Sequence, residues 1–195
     1  MKEKIKKKTV YLLKTKEKEK SSFAVRWFDM KALFIGRFQP FHLGHLLLLQ
    51  RLSTQYEEII IGVGSSQYRD TYDNPFSDVE RKHMITQSLD AVGIHNYRIV
   101  TIPDIHDPPR WVDHVCSIIS DFDVILANNP FTRKLFSEKG YVVKGTAFFD
   151  RKRYSGKEIR KRIIQDEPWG ELVPEVVFKI ISNIDGVKRV KSVSH

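Results

Sequence analysis

The chain has 195 residues, 41% of them hydrophobic and 29% charged. That is enough for a sizeable core and too apolar for a disordered chain, and no apolar run approaches the roughly 20 residues that cross a bilayer. The formal charge is +9, but residues 1–30 hold ten Lys or Arg against four Asp or Glu, so nine minus six leaves only +3 after Met30, a weak case for a nucleic-acid binder.

In chain order, the basic leader offers only Val10 to Leu13 as an apolar stretch before lysines resume, so it does not read as a signal peptide. Residues 1–30 are expected to be an extension, read as a solvated tail, a strand with a polar flank or sequence upstream of a start at Met30, ahead of a domain over 31–195. Candidate strands follow at Ala32 to Ile35, Glu58 to Val63, Tyr97 to Ile102, Val124 to Ala127 and Tyr141 to Val143. They are near-continuous in apolar and β-branched residues, as strands buried on both faces are. Helices are expected between them: Leu43 to Leu52 after Pro40, Ser77 to about Val92 behind a Ser77/Glu80 capping box, Arg110 to Ser120, and Pro130 to Phe136. The alternation implies an α/β fold, a Rossmann-like parallel sheet with helices on both faces, with ligands beyond the carboxyl ends of its strands. A small helical C-terminal part is expected from a second Ser155/Glu158 box, to about Gln165, and from Pro174 to Ile184, with Gly186 as a stop and "KRVKSVSH" as a surface end. The single cysteine, Cys116, permits no internal disulfide, in keeping with a reducing compartment and a cytoplasmic location.

The most informative stretch is "KALFIGRFQPFHLGH", Lys31 to His45. Gly36 stands where the first strand must turn, and a glycine there lets backbone N–H groups approach a phosphate. The next helix presents unpaired N–H groups and the positive end of its dipole, a site for anions. His42 and His45, three apart, fall on one side of it near Gly44 and Arg37. A zinc site would need a third ligand, and metalloprotease histidines lie four apart with a glutamate base. Two helix-start histidines with a purely structural role are the other alternative.

"GRFQPFHLGH" resembles the His-x-Gly-His signature of the nucleotidyltransferase superfamily, and in its longer form the archaeal nicotinamide-nucleotide adenylyltransferases. "RYSGKEIRKR", Arg153 to Arg162, resembles the family's second signature, which closes over ATP phosphates, with Lys157 standing where threonine is usual. "NPFSDVERKHMI", "IPDIHDPPRWVDHV" and "NPFTRKLFSEKGY" match the family's order and spacing between them. "YRDTYDNPF" replaces a histidine-containing loop, and "HDPP" replaces an asparagine-containing stretch.

The resemblance implies adenylyl transfer: nicotinamide mononucleotide attacks the α-phosphate of ATP in line, giving NAD and pyrophosphate. His42, His45 and Arg160 are the implied catalytic residues, the histidines donating hydrogen bonds to phosphates rather than removing a proton. Unperturbed imidazoles are partly protonated near neutrality and could shift toward the cation beside triphosphate. ATP is placed by the resemblance against Ile35, Gly36, Arg37, Phe38, His42, Gly44 and His45, against Asn128 and Arg133, and against Tyr154, Ser155, Gly156, Lys157, Ile159 and Arg160. The mononucleotide is placed against Phe41, Gly64, Ser65, Arg69, Asp104 and Trp111, with the indole stacked on the nicotinamide ring; core packing is the alternative for Trp111. Mg2+ is expected to be bound mainly through ATP phosphates, with no protein metal site, and the implied assembly is a homo-oligomer without a membrane or nucleic-acid partner. The rivals are an adenylyltransferase for flavin mononucleotide or phosphopantetheine and, ranking last, a non-catalytic RNA-binding protein that uses the basic leader.

Overall fold

The computed structural model describes residues 29–146, 150 and 152–194. The expectation for the basic extension falls outside these, apart from Asp29 and Met30. Five strands form one wholly parallel sheet: β1 (Lys31–Gly36), β2 (Glu58–Gly64), β3 (Tyr97–Ile102), β4 (Val124–Leu126) and β5 (Val143–Lys144), in the order β3-β2-β1-β4-β5. The first strand is therefore central, and the order reverses beside it, between β1 and β4. A crevice opens at such a point because the chain leaves the two strands toward opposite sides.

Alternate residues of each strand feed two cores, as the period of two requires. Ile59, Ile61 and Val63 pack on one face with α1 (Leu43–Ser53), α2 (Asp78–Asp90), α5 (Gly156–Ile164), α6 (Glu175–Asn183) and α7 (Gly186–Ser192). Leu33, Ile60 and Ile125 face the other way, against Val112 and Val115 of α3 (Pro108–Ile118) and Phe136 of α4 (Pro130–Glu138). The Rossmann-like reading and its helical C-terminal part are both present.

The Ser77 box is complete: its hydroxyl accepts from the Glu80 N–H, and the Glu80 carboxylate accepts from the Ser77 N–H. The second is half made. Ser155 Oγ accepts from the Glu158 N–H, but the Glu158 carboxylate turns to Arg162 Nε at 2.9 Å. The last strand lies later than expected, at Val143–Lys144, and α3 begins earlier, on Pro108 with Asp107 as its cap. Gly186 does not end the chain's regular structure. The helix before it ends at Asn183, and Gly186 then opens α7, whose Val190 is buried; a side chain at Gly186 would sit 2.9 Å from the Ile181 carbonyl oxygen and 3.0 Å from the Phe76 ring. Close approach, rather than termination, is what this glycine provides.

Candidate active site

A cleft of about 940 Å³ lies beyond the carboxyl ends of the strands, within the size range of small-molecule sites. It runs from Gly36 and Arg37, past Ala127 and Asn128 after β4, to Gly64 and Ser65 after β2 and Asp104 and His106 after β3. The head of α5 closes one side through Tyr154, Ser155, Gly156, Lys157 and Arg160.

His42 is the N-cap of α1 and His45 its third residue, and the imidazoles form a reciprocal capping box. The His45 N–H donates to His42 Nδ1 and the His42 N–H donates to His45 Nδ1, each at 3.3 Å. The rings stack with centroids 3.5 Å apart. Because each Nδ1 accepts, each neutral ring carries its proton on Nε2 and keeps one donor for a ligand. Burial pushes the His42 pKa down to about 4 and takes His45 well below its ordinary value, with the neighbouring His42 charge adding to the effect. Burial thus keeps both rings neutral near pH 7, each a donor through Nε2.

The second signature reaches the first directly. Arg160 Nη1 donates to the Gln39 carbonyl at 2.8 Å across 121 residues, and Nη2 lies 3.3 Å from Asp73 Oδ1. Desolvation lowers the Arg160 pKa, opposed by the Asp73 charge. Gly156 is what permits the approach: a Cβ there would stand 2.5 Å from the Gln39 oxygen. Gly44 does the same on the other side, since a Cβ there would be 2.9 Å from Tyr154 Cβ. Ser155 caps the nine-residue α5 by accepting the Glu158 N–H, and Gly156 and Lys157 of its first turn line the cleft with Arg160.

The remaining predicted residues divide into two groups. Ile35, Phe38, Gly64, Ser65, Asp104 and Trp111 also line the cleft. Ser65 Oγ donates to Asp104 Oδ2 at 2.7 Å, tying the ends of β2 and β3, while Trp111 faces the cleft with its ring edge-on to Phe136 at 5.7 Å. The ring therefore both packs and lines. Asn128 lines the wall but its amide is spent on Thr146, donating to Oγ1 at 2.6 Å and accepting the Thr146 N–H at 2.8 Å. Arg133 is not on the wall; its guanidinium holds the Ala127 carbonyl at 3.1 Å. Phe41 and Ile159 are fully buried in the core beneath the signatures, and the Arg69 side chain points to solvent beside Asp70. These four support or adjoin the site rather than line it.

Three polar residues that frame the site escape the sequence reading of roles. Gln39, 4% exposed, donates its amide to the Phe76 carbonyl at 2.8 Å and accepts the Phe76 N–H at 3.0 Å, imitating a strand pairing between the turn and the Pro75–Phe76 segment. Arg81 is completely buried and donates to the Arg37 and Gly64 carbonyls at 2.8 Å and to the Ser65 carbonyl at 3.2 Å, so one guanidinium gathers the ends of β1 and β2. Its burial pushes the pKa down to about 10, still charged at neutrality. Asp73 lies between Arg160 and Arg37.

Residues 33–162 match the cytidylyltransferase-like family. A nicotinamide-nucleotide adenylyltransferase of Thermoplasma volcanium is 43% identical over 166 residues, covering 85% of this chain and 93% of that protein. One of Methanococcus vannielii is 46% identical over 162 residues, covering 83% and 94%. The chain belongs to the nicotinamide-nucleotide adenylyltransferase family. Among solved structures, a bifunctional NMN adenylyltransferase/ADP ribose pyrophosphatase of Francisella tularensis, complexed with AMP and a manganese ion, shares the fold at TM-score 0.69 and 23% identity. The match covers 85% of this adenylyltransferase-family chain but only 52% of the Francisella protein, so the chain spans about half of that relative's length. The archaeal relatives are matched over nearly their whole length.

Proposed function

We propose that this chain joins nicotinamide mononucleotide to the AMP moiety of ATP, giving NAD and pyrophosphate, through direct attack of the mononucleotide phosphate on the α-phosphorus. The observation that carries the reading is the contact between its two signature segments: Arg160, at the head of α5, bonds the Gln39 carbonyl of the turn that presents His42 and His45. Two Nε2–H donors, a guanidinium and two helix starts then face one cleft. The attacking phosphate is already an anion, so the protein's task is alignment and relief of negative charge on the α-phosphate and on the departing pyrophosphate.

Among the described residues, no group of three or more His, Cys, Asp or Glu is placed to hold a metal ion. The carboxylates on the cleft wall are separately engaged: Asp73 by Arg160, Asp104 by Ser65 and Asp107 by Arg110. That donor set suits Mg2+ held mainly through nucleotide phosphates and water, where it neutralises phosphate charge. On the acceptor side, Trp111 offers an indole face to a cationic pyridinium and the Ser65–Asp104 pair supplies polar groups beside it. No helix among the described residues is long and apolar enough to cross a membrane.

The test is a competition: purified protein with ATP, Mg2+ and equimolar nicotinamide mononucleotide, flavin mononucleotide and phosphopantetheine, with products identified by mass. NAD and pyrophosphate in equal amounts are expected; adenylylation of another acceptor in preference would overturn the reading. Trp111→Ala should raise KM for the mononucleotide roughly tenfold, the worth of one stacked ring, with KM for ATP little changed.

A further inference from the structure

The cationic side of the cleft already has an anion in it. Asp73 Oδ1 lies 3.3 Å from Arg160 Nη2 and 3.9 Å from Arg37 Nη1, so one oxygen bridges the two guanidinium groups that face the cleft. The Arg160 side chain is 8% exposed, whereas Asp73 is 60% exposed and Arg37 53%. The carboxylate is thus the solvent-facing member, reachable by an incoming ligand. Its position is set by the backbone: Thr71 and Asn74 exchange N–H to carbonyl bonds at 3.3 and 3.1 Å, and the Asn74 N–H also meets Thr71 Oγ1 at 3.2 Å. Beyond that closed turn, Phe76 is pinned to Gln39.

We propose that Asp73 is a resident counter-anion that competes with the triphosphate of ATP, and with the pyrophosphate product, for Arg37 and Arg160, and so sets the affinity of the site for both. This rests on the reading that these arginines receive the phosphates. A phosphate oxygen that reaches both guanidinium groups arrives where Oδ1 stands, and like charges at one point are a repulsive element built into the site. The pair with Arg37 joins two exposed groups and is weak, and the carboxylate itself is open to solvent, so a polyphosphate can displace it, yet the carboxylate can return as pyrophosphate leaves. Ligand parts that do not approach the arginines, the nucleoside above all, are indifferent to it.

Asp73→Asn keeps the shape and removes the charge. Calorimetric titration with magnesium pyrophosphate and with a non-hydrolysable ATP analogue should show tightening of about three- to tenfold, diminishing as salt is raised, with adenosine binding unchanged. Product inhibition by pyrophosphate should become stronger by a similar factor. Asp73→Glu, which keeps the charge, should show no tightening. Weaker or unchanged pyrophosphate binding in Asp73→Asn, or a collapse of turnover there, would overturn the proposal, the latter showing that the carboxylate serves the reaction itself. Arg37→Gln, an exposed substitution, separates the two levels: loss of pyrophosphate affinity there, with no gain in Asp73→Asn, defeats only the role of Asp73. Unchanged affinity in Arg37→Gln defeats both the role and the arginine reading beneath it.

Discussion

The bonding of the two histidines decides what they can do. Each Nδ1 is occupied by the partner's backbone N–H, so neither ring has a free acceptor with which to take a proton from a substrate. What each keeps is one Nε2–H. His45→Gln tests this, because a glutamine at the third helical position can still accept from the N-cap N–H while offering no imidazole donor. Turnover should fall on the order of a hundredfold, the usual worth of one donor at a developing charge, with a thermal midpoint within a few degrees of wild type. Near-normal pyrophosphate release would remove the role. The same rings make stability depend on pH. Unfolded imidazoles take up protons below about pH 6.5, whereas the folded His42 stays neutral until about pH 4. The unfolded state binds more protons in that window, so stability is complete above pH 6.5 and falls as pH drops toward 4, by about 3 kcal/mol for His42 alone. Urea midpoints measured at pH 7 and pH 5 should differ accordingly; equal midpoints would contradict neutral burial.

At the scale of elements, the docking of α5 on the β1–α1 turn assembles the site. It depends on Gly156, where a Cβ would meet the Gln39 oxygen at 2.5 Å, a backbone atom with no freedom to yield. Gly156→Ala should cost about 1–3 kcal/mol, as overpacking does, and weaken ATP binding as Arg160 is pushed off the carbonyl. A denaturation curve and an ATP titration check the two effects together. The elements were legible in the sequence to unequal degrees. Strands such as "ALFI" and "EIIIGV" announce themselves because burial on both faces removes polar residues from them. Gly186 misled because a glycine after a helix serves equally as a terminator or as a point of contact, and α7 is only seven residues long, too few to display a helical period. Arg81 and Gln39 left no signal as structural residues because charged and amide side chains ordinarily read as surface; only the fold shows that strand-end carbonyls and a facing backbone segment satisfy them.

Over the whole molecule, function follows from one topological fact. The order β3-β2-β1-β4-β5 puts the first strand in the middle, so its turn meets the ends of β2 and β4 at once, and the last signature helix returns from 121 residues away to complete the wall. The motifs were legible because they are short and chemically peculiar; their meeting was implied by the resemblance alone, and the contact that makes it, Arg160 on the Gln39 carbonyl, depends on strand order and on α6 and α7 bracing the near face. Arg189 of α7 contributes by donating to both Glu80 carboxylate oxygens, at 2.8 and 2.7 Å, which fixes the helix after "NPFS" against the C-terminal part. The arrangement aligns two anions and offers donors, and it presents no free acceptor on either histidine. Direct transfer is therefore expected, with no adenylyl group resting on His42 or His45. The most direct measurement is the stereochemical course at the α-phosphorus, followed with ATP made chiral by sulfur at that position. A single in-line displacement predicts inversion of configuration in the NAD analogue formed; retention would reveal two displacements through a covalent intermediate and would rule out direct transfer.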